Sequence, residues 1–305
     1  MKSKIIKSES SLRRYPVLAF ILSFFFTGLG QIYNGDFSKG IVFFILRILT
    51  LLIIPLYVLM RSDGIPILFF ISAIAIHVLI WLISPLESIC SAKNNLVFNL
   101  RKYNSFLFYF VYGIVISVLL ILSCFLIQLF FSIEEIVTNN MKPTLIKNEY
   151  VLINKYNAGN AGAGDIVTFS LDGMVRIGRI IAQPGELIKK IGKDLYINDA
   201  PLSYGIFTKI EIEKLGIDNS EDLFYEINGI KKYPVILRPS TAEKASDIKP
   251  FFLGNDELFV AFDNRSSNVV YNKIRLEAVK GIVEGIIYSE RFERILNKPY
   301  LYTEQ

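Results

Sequence analysis

The stretch Thr138-Asn139-Asn140-Met141-Lys142-Pro143-Thr144-Leu145 sets two hydroxyls, two primary amides and an amine within eight residues. A hydroxyl held against a neutral amine is enough for acyl transfer, because the amine takes the proton and the oxygen attacks a carbonyl. Lys147 brings a second amine close by. A lysine in a polar, turn-like stretch stays protonated and solvated, however, so Thr138 or Thr144 working with Lys142 or Lys147 is kept only as an alternative. Histidine chemistry is not expected. The sole histidine, His77, sits in the apolar run ISAIAIHVLIWLIS with no Asp, Glu or Cys near it, where packing or a helix-to-helix hydrogen bond is the expected role. Cys90 and Cys124 lie in or beside apolar runs, which supports neither a disulfide framework nor a zinc site, and both are expected to be small packing residues. No metal and no cofactor is expected.

The elements that carry these residues divide the chain in two. With 52% hydrophobic residues and a mean hydropathy of +0.42, part of the protein must lie in lipid, and nearly all long apolar runs fall before residue 133. After a basic tail over residues 1–14, a membrane region is expected over 15–132, with apolar segments at Tyr15 to Tyr33, Gly40 to Met60, Gly64 to Ser84 and Phe106 to Phe131. Lys2, Lys4, Lys7, Arg13 and Arg14 hold the N-terminus inside, and Lys93, Arg101 and Lys102 hold the 87–105 loop inside as well. Three full crossings between them cannot satisfy both. The first segment is the weakest, broken by Gly28, Gly30 and the turn-like Asn34-Gly35-Asp36, so it is expected to dip and return or to lie broken at the interface. Three spans then follow it. The polar half is placed outside the cytoplasm, in a multi-pass protein of the cytoplasmic membrane. The net charge of +5 comes from scattered and membrane-flanking Lys and Arg, which argues against nucleic acid as a partner.

From residue 133 to 305 the pattern becomes short β-rich runs bounded by Gly, Asn, Asp and Pro, such as EYVLINKY, DIVTFSL, MVRIGRII, YPVILRP and ELFVAFD. This predicts a mainly β domain with few helices. The charged, weakly periodic stretch from Phe207 to Pro250 is expected to be an insertion or lid.

Four boxes now fall in series: NNMKPTL at 139–145, AGDIVTF at 163–169, GRIIAQPGE at 178–186 and FDNRSSN at 262–268. In order and approximate spacing they resemble the boxes of type I signal peptidases. That resemblance implies a β-barrel protease domain on the outer face of the cytoplasmic membrane. It also implies an extended leader segment pairing edge-on with a strand beside the site, and attack by a serine whose proton goes to a desolvated lysine. Two positions depart from the family. The serine that precedes the Met is Asn140, and the lysine that precedes the Arg of the third box is Gly178. Neither an amide nor a glycine can take these roles, so a catalytically degenerate homologue is expected.

The resemblance carries an oxyanion-type hydroxyl onto Thr138 and groove or box positions onto Met141, Pro143, Thr144, Arg179, Asp263, Asn264 and Arg265. Asp263 and Arg265 are expected to pair with each other and fix a loop. Strand alternation puts Arg176 on the same face as Gly178, where its guanidinium can supply charge but no base. Asn268, Val270 and Asn272 stand where the family continues with Ser, Asp and Arg. The N-terminal stretch, with Gly28, Gly30, Gln31, Tyr33 and Gly35, resembles a small two-helix membrane module attached to many unrelated bacterial proteins. Expected partners are the lipid bilayer, signal peptides of preproteins and an active paralogue.

Overall fold

The computed structural model describes residues 14–60, 67–94, 101–156, 158–192, 194–215, 223–237, 247–265, 271–295 and 301–302. These fall into two compact units, one built of residues up to Gln128 and the other mainly of residues from Leu129 onward.

The first unit holds helices α1 (Pro16–Phe25), α2 (Leu29–Tyr33), α3 (Phe37–Met60), α4 (Ile67–Asn94) and α5 (Phe106–Phe130). The first apolar segment is broken where Gly28 turns into the left-handed region at φ 91°, so neither α1 nor α2 is long enough to cross a bilayer. A Cβ on Gly28 would overlap the Gly40 carbonyl oxygen, and one on Gly30 would overlap that of Ala19. Those two glycines therefore set how closely α1, α2 and α3 approach. Between them Gln31 is fully buried: its Nε2 donates to the Ser84 carbonyl at 2.7 Å and to Glu87 Oε2 at 2.9 Å, and its Oε1 accepts from Ser23 Oγ at 3.1 Å. His77 Nδ1 and Thr50 Oγ1 lie 3.0 Å apart, a hydrogen bond between α4 and α3. Among the described residues, Ile71–Asn94 and Phe106–Phe130 are long and apolar enough to cross a membrane. Cys90 and Cys124 are free and exposed on their helices, not packed inside as their small size suggested; an outward helix face of apolar character accommodates them.

The second unit is mainly β. In chain order its strands are β1 (Phe131–Glu135), β2 (Tyr150–Asn154), β3 (Ile166–Leu171), β4 (Met174–Ala182), β5 (Leu187–Ile191), β6 (Asp194–Ile197), β7 (Ala200–Pro201) and β8 (Ser203–Gly205). After helix α6 (Lys209–Leu215) come β9 (Leu223–Asn228), β10 (Lys231–Ile236), β11 (Ile248–Phe252), β12 (Glu257–Ala261), β13 (Tyr271–Arg275), β14 (Val279–Tyr288) and β15 (Leu301–Tyr302). Seven of them form an antiparallel sheet in the order β1-β2-β14-β3-β4-β12-β13, and two four-stranded sheets run β15-β10-β9-β8 and β11-β5-β6-β7.

No closed barrel forms among the described residues, which corrects the barrel expectation. The large sheet ends at β1 and β13. Register shifts along β14, at Val279/Gly281, Val283/Gly285 and Ile286/Tyr288, bend it without bringing those ends into pairing. Its faces bury two apolar clusters, one around Met141, Leu145, Val151, Ile166 and Phe262, the other around Val167, Phe169, Ile180 and Val260.

The described part of the stretch expected to be an insertion or lid holds helix α6, the packed β9–β10 hairpin and the start of β11. Leu223, Glu226, Tyr233 and Val235 are buried, and Gly229, at φ 60°, makes the tight turn between β9 and β10.

Candidate functional site

The loop that follows β1 is tied at several points. Leu145 N donates to Met141 O at 2.9 Å, closing one turn, and Met141 and Leu145 drop into the core at 2% and 0% exposure. The carbonyl of Asn140 accepts from Asn264 N at 3.0 Å, which joins the first box to the last. Asn140 is half-buried and Thr138 exposed.

Beneath the loop lies a buried chain of charges. Arg179, fully buried on β4, donates from Nε to Asp263 Oδ1 at 2.8 Å and from Nη2 to Oδ2 at 2.6 Å. Its Nη1 donates to the Gly164 carbonyl at 2.7 Å and its Nη2 to Thr144 Oγ1 at 3.3 Å, while Thr144 donates in turn to Asp263. One guanidinium thus binds all four boxes together. Its other face lies 3.9 Å from the centre of the Tyr233 ring. Burial, with Glu226 beside it, pushes the Tyr233 phenol well above its ordinary value, and that phenol donates to Glu226. Glu226 also accepts from Arg265 Nη2 at 3.0 and 3.2 Å.

Asp263 and Arg265 therefore do not pair with each other. The buried guanidinium of Arg179 takes the Asp263 carboxylate, and Arg265 turns to the hairpin. A parallel bridge from Ile236 to Asn264 brings β10 alongside this segment.

A second clamp comes from the C-terminal side. Arg294, fully buried, donates from Nε to Glu149 Oε1 at 2.6 Å and from Nη2 to the Thr144 carbonyl at 2.7 Å. Glu149 Oε2 accepts from Ile146 N at 2.7 Å, so the loop is pinned from both sides. Nothing local in the sequence signals Arg294 or Glu226, because each partner lies far away along the chain. The two-residue turn after Asn228 between β-rich runs was a readable sign of the hairpin.

Thr144, one of the alternative nucleophiles, is 6% exposed with its proton committed to Asp263, so it faces no substrate. Among the described residues no lysine amine is hydrogen-bonded to Thr138. At Gly178, a Cβ would stand 3.2 Å from Phe169 Cε1 and 3.4 Å from the Ala261 carbonyl. The space above this glycine is thus occupied by the Phe169 ring, and the setting is apolar. Asn272 lies in β13 opposite Val260, whereas Asn268 and Val270 fall outside the described residues.

Residues 108–268, more than half of the chain, match the family described as signal peptidase, peptidase S26. The chain belongs to the signal peptidase family. It is similar to the inactive signal peptidase IA of Staphylococcus aureus strains Mu50 and N315, 26% identical over 117 residues in each case. That match spans 37% of this chain and 66% of the relatives' length. It is also similar to a signal peptidase I from Enterococcus faecalis V583 of known crystal structure, at 18% identity and a TM-score of 0.23, covering 40% of this chain and 94% of that one. In this member of the family Arg179 and Asp263 hold the four boxes together, and Asn140 and Gly178 offer neither an oxygen nucleophile nor an amine.

Two strand edges flank the loop. β1 pairs with β2 alone among the described strands. Among the described residues, β12 meets β4 only from Arg179 to Ala182, and Met174 to Gly178 have no strand partner on that side.

Proposed function

We propose that this protein is a membrane-anchored, catalytically inactive signal peptidase homologue that binds leader or other extended peptides outside the cytoplasm, alone or beside an active paralogue. The observation that carries the reading is the combination of an intact positioning network with Asn140 and Gly178 at the reactive positions. Peptide-bond scission by the family mechanism needs an oxygen nucleophile and an amine base. Without them, the free edges of β1 and β4 still supply main-chain hydrogen bonds, and these give affinity independently of chemistry.

A labelled leader peptide titrated against the detergent-solubilised full chain tests the proposal. Saturable binding without cleavage is expected. Turnover abolished by Thr138→Ala or Lys142→Ala would instead establish a working enzyme with relocated groups, and absence of binding would leave a purely structural protein.

A further inference from the structure

We propose that Arg47 holds the phosphate of an anionic phospholipid, so that the helical unit carries a lipid site of its own. All the residues involved belong to that unit, and the inference stands independently of the peptide-binding reading.

Arg47 lies on α3 inside the apolar run GIVFFILRILTLLII. The two carboxylates described in this unit are already committed. Glu87 accepts from Lys39 Nζ at 3.1 Å and from Gln31 Nε2 at 2.9 Å, and Asp36 accepts from Ser91 Oγ at 2.9 Å. Arg47 has no ion-pair partner among the described residues. Its Nη1 donates to Thr27 Oγ1, and its Nε is buried without a hydrogen-bond partner. A guanidinium in such surroundings is costly unless an anion meets it, and charged residues kept within membrane helices mark binding sites.

The depth of the group selects the anion. Along α3, Arg47 stands eight residues, about 12 Å, beyond the exposed Lys39. Its side chain leans back toward the start of the helix, as helical side chains do, and reaches Thr27. The next residue, Gly28, donates its N–H to Ser84 Oγ at 3.4 Å, and Ser84 precedes Glu87 by three residues on α4. The guanidinium thus sits about one helical turn below the Lys39–Glu87 ion pair.

A headgroup phosphate reaches that depth by modest local thinning of the bilayer. A carboxylate on a partner helix would itself have to be desolvated to meet Arg47 there. Access agrees with a lipid. Arg47 is half-buried, and Leu46 and Leu49 beside it are exposed. Phosphate oxygens also suit the forked donors of a guanidinium. At the same end of the unit, where Tyr103 donates to the Gly35 carbonyl at 2.7 Å, the exposed Lys93, Arg101 and Lys102 gather anionic headgroups.

Trp81 reports on the site, because it is the only tryptophan and its ring centre lies 5.9 Å from the guanidinium carbon. The full chain is reconstituted in phosphatidylcholine vesicles containing rising fractions of phosphatidylglycerol or phosphatidylcholine with brominated chains, which quench indole fluorescence. Half-maximal quenching is expected at about fivefold lower fraction of the phosphatidylglycerol. Arg47→Gln is expected to bring the two lipids level, Arg47→Lys to keep part of the preference, and Lys102→Gln to leave it whole.

Equal quenching by the two lipids in the wild type overturns the inference, whatever the variants do. A preference that survives in Arg47→Gln, or that Lys102→Gln abolishes, removes it from Arg47. Loss of the preference in excess inorganic phosphate, at matched ionic strength, overturns the lipid as the ligand.

Discussion

Replacing Asp263 with Ala would leave the Arg179 guanidinium fully buried and without its counter-ion. Two charge-assisted bonds, at 2.8 and 2.6 Å, would vanish, and the Thr144 hydroxyl would lose its acceptor. The Gly164 carbonyl and the Tyr233 ring would remain, neither of them an anion. Breaking one partner of such a buried pair costs about 3–5 kcal/mol, most of it the penalty of the charge left behind. Substituting both, as Arg179→Met with Asp263→Leu, removes that penalty and is expected to cost less than either single change. The assay is pulse proteolysis of the full chain in detergent across a urea series, following loss of the polar unit. A loss below about 1 kcal/mol for Asp263→Ala, or a double variant whose cost equals the sum of the two singles, would refute the claim that this pair locks the boxes together.

Three further outcomes follow from the geometry. Arg294→Gln is expected to loosen the clamp on the Thr144 carbonyl, so that limited trypsin digestion after Lys147 becomes several-fold faster; an unchanged rate would show that the C-terminal contacts do not hold the loop. Tyr233 is held neutral by burial, so its folded pKa lies above the unfolded value of 10.0. Its contribution is complete below about pH 10 and declines above it, by at most about 1.4 kcal/mol per pH unit, and Tyr233→Phe should flatten the alkaline loss of stability seen in denaturant titrations. In the helical unit, Gln31→Leu removes the amide donor from the Ser84 carbonyl and from Glu87 Oε2, leaving Glu87 only its Lys39 partner among the described residues, and is expected to lose about 1–3 kcal/mol, read from the thermal midpoint of the fluorescence of Trp81, the only tryptophan.

Much of the site could be read along the chain because its boxes are local. Gly164 and Gly185 sit at turns with φ of 80° and 82°, positions that a Gly-Asp and a Pro-Gly pair announce by themselves. The departures from the signal-peptidase pattern at Asn140 and Gly178 are equally plain, since each stands next to a box residue, Met141 or Arg179.

What escaped was pairing at long range. Asp263 and Arg265 stand two apart and invite a mutual ion pair, yet their partners are 84 and 39 residues away. Charge pattern does not encode which carboxylate faces a buried guanidinium; the sheet order does. The β9–β10 hairpin was hard to read as a packed element because Glu226 and Asn228 are buried within it and Lys231 and Lys232 are partly covered, so its strands lack an apolar–polar alternation. The glycines of the first segment were visible, but their purpose, letting α1, α2 and α3 touch backbone to backbone, depends on contacts between helices.

The most direct test of the account compares leader-peptide cleavage by the wild-type chain, by Asn140→Ser alone, and by Asn140→Ser with Gly178→Lys. The wild type and the single variant are expected to show no turnover. If the scaffold positions residues 140 and 178 as the account requires, the double variant cleaves, and the Phe169 ring must yield only a few tenths of an ångström to a new Cβ. Cleavage by the wild type, or a folded double variant that binds peptide without cutting it, would contradict the claim that this site lacks only its two reacting groups.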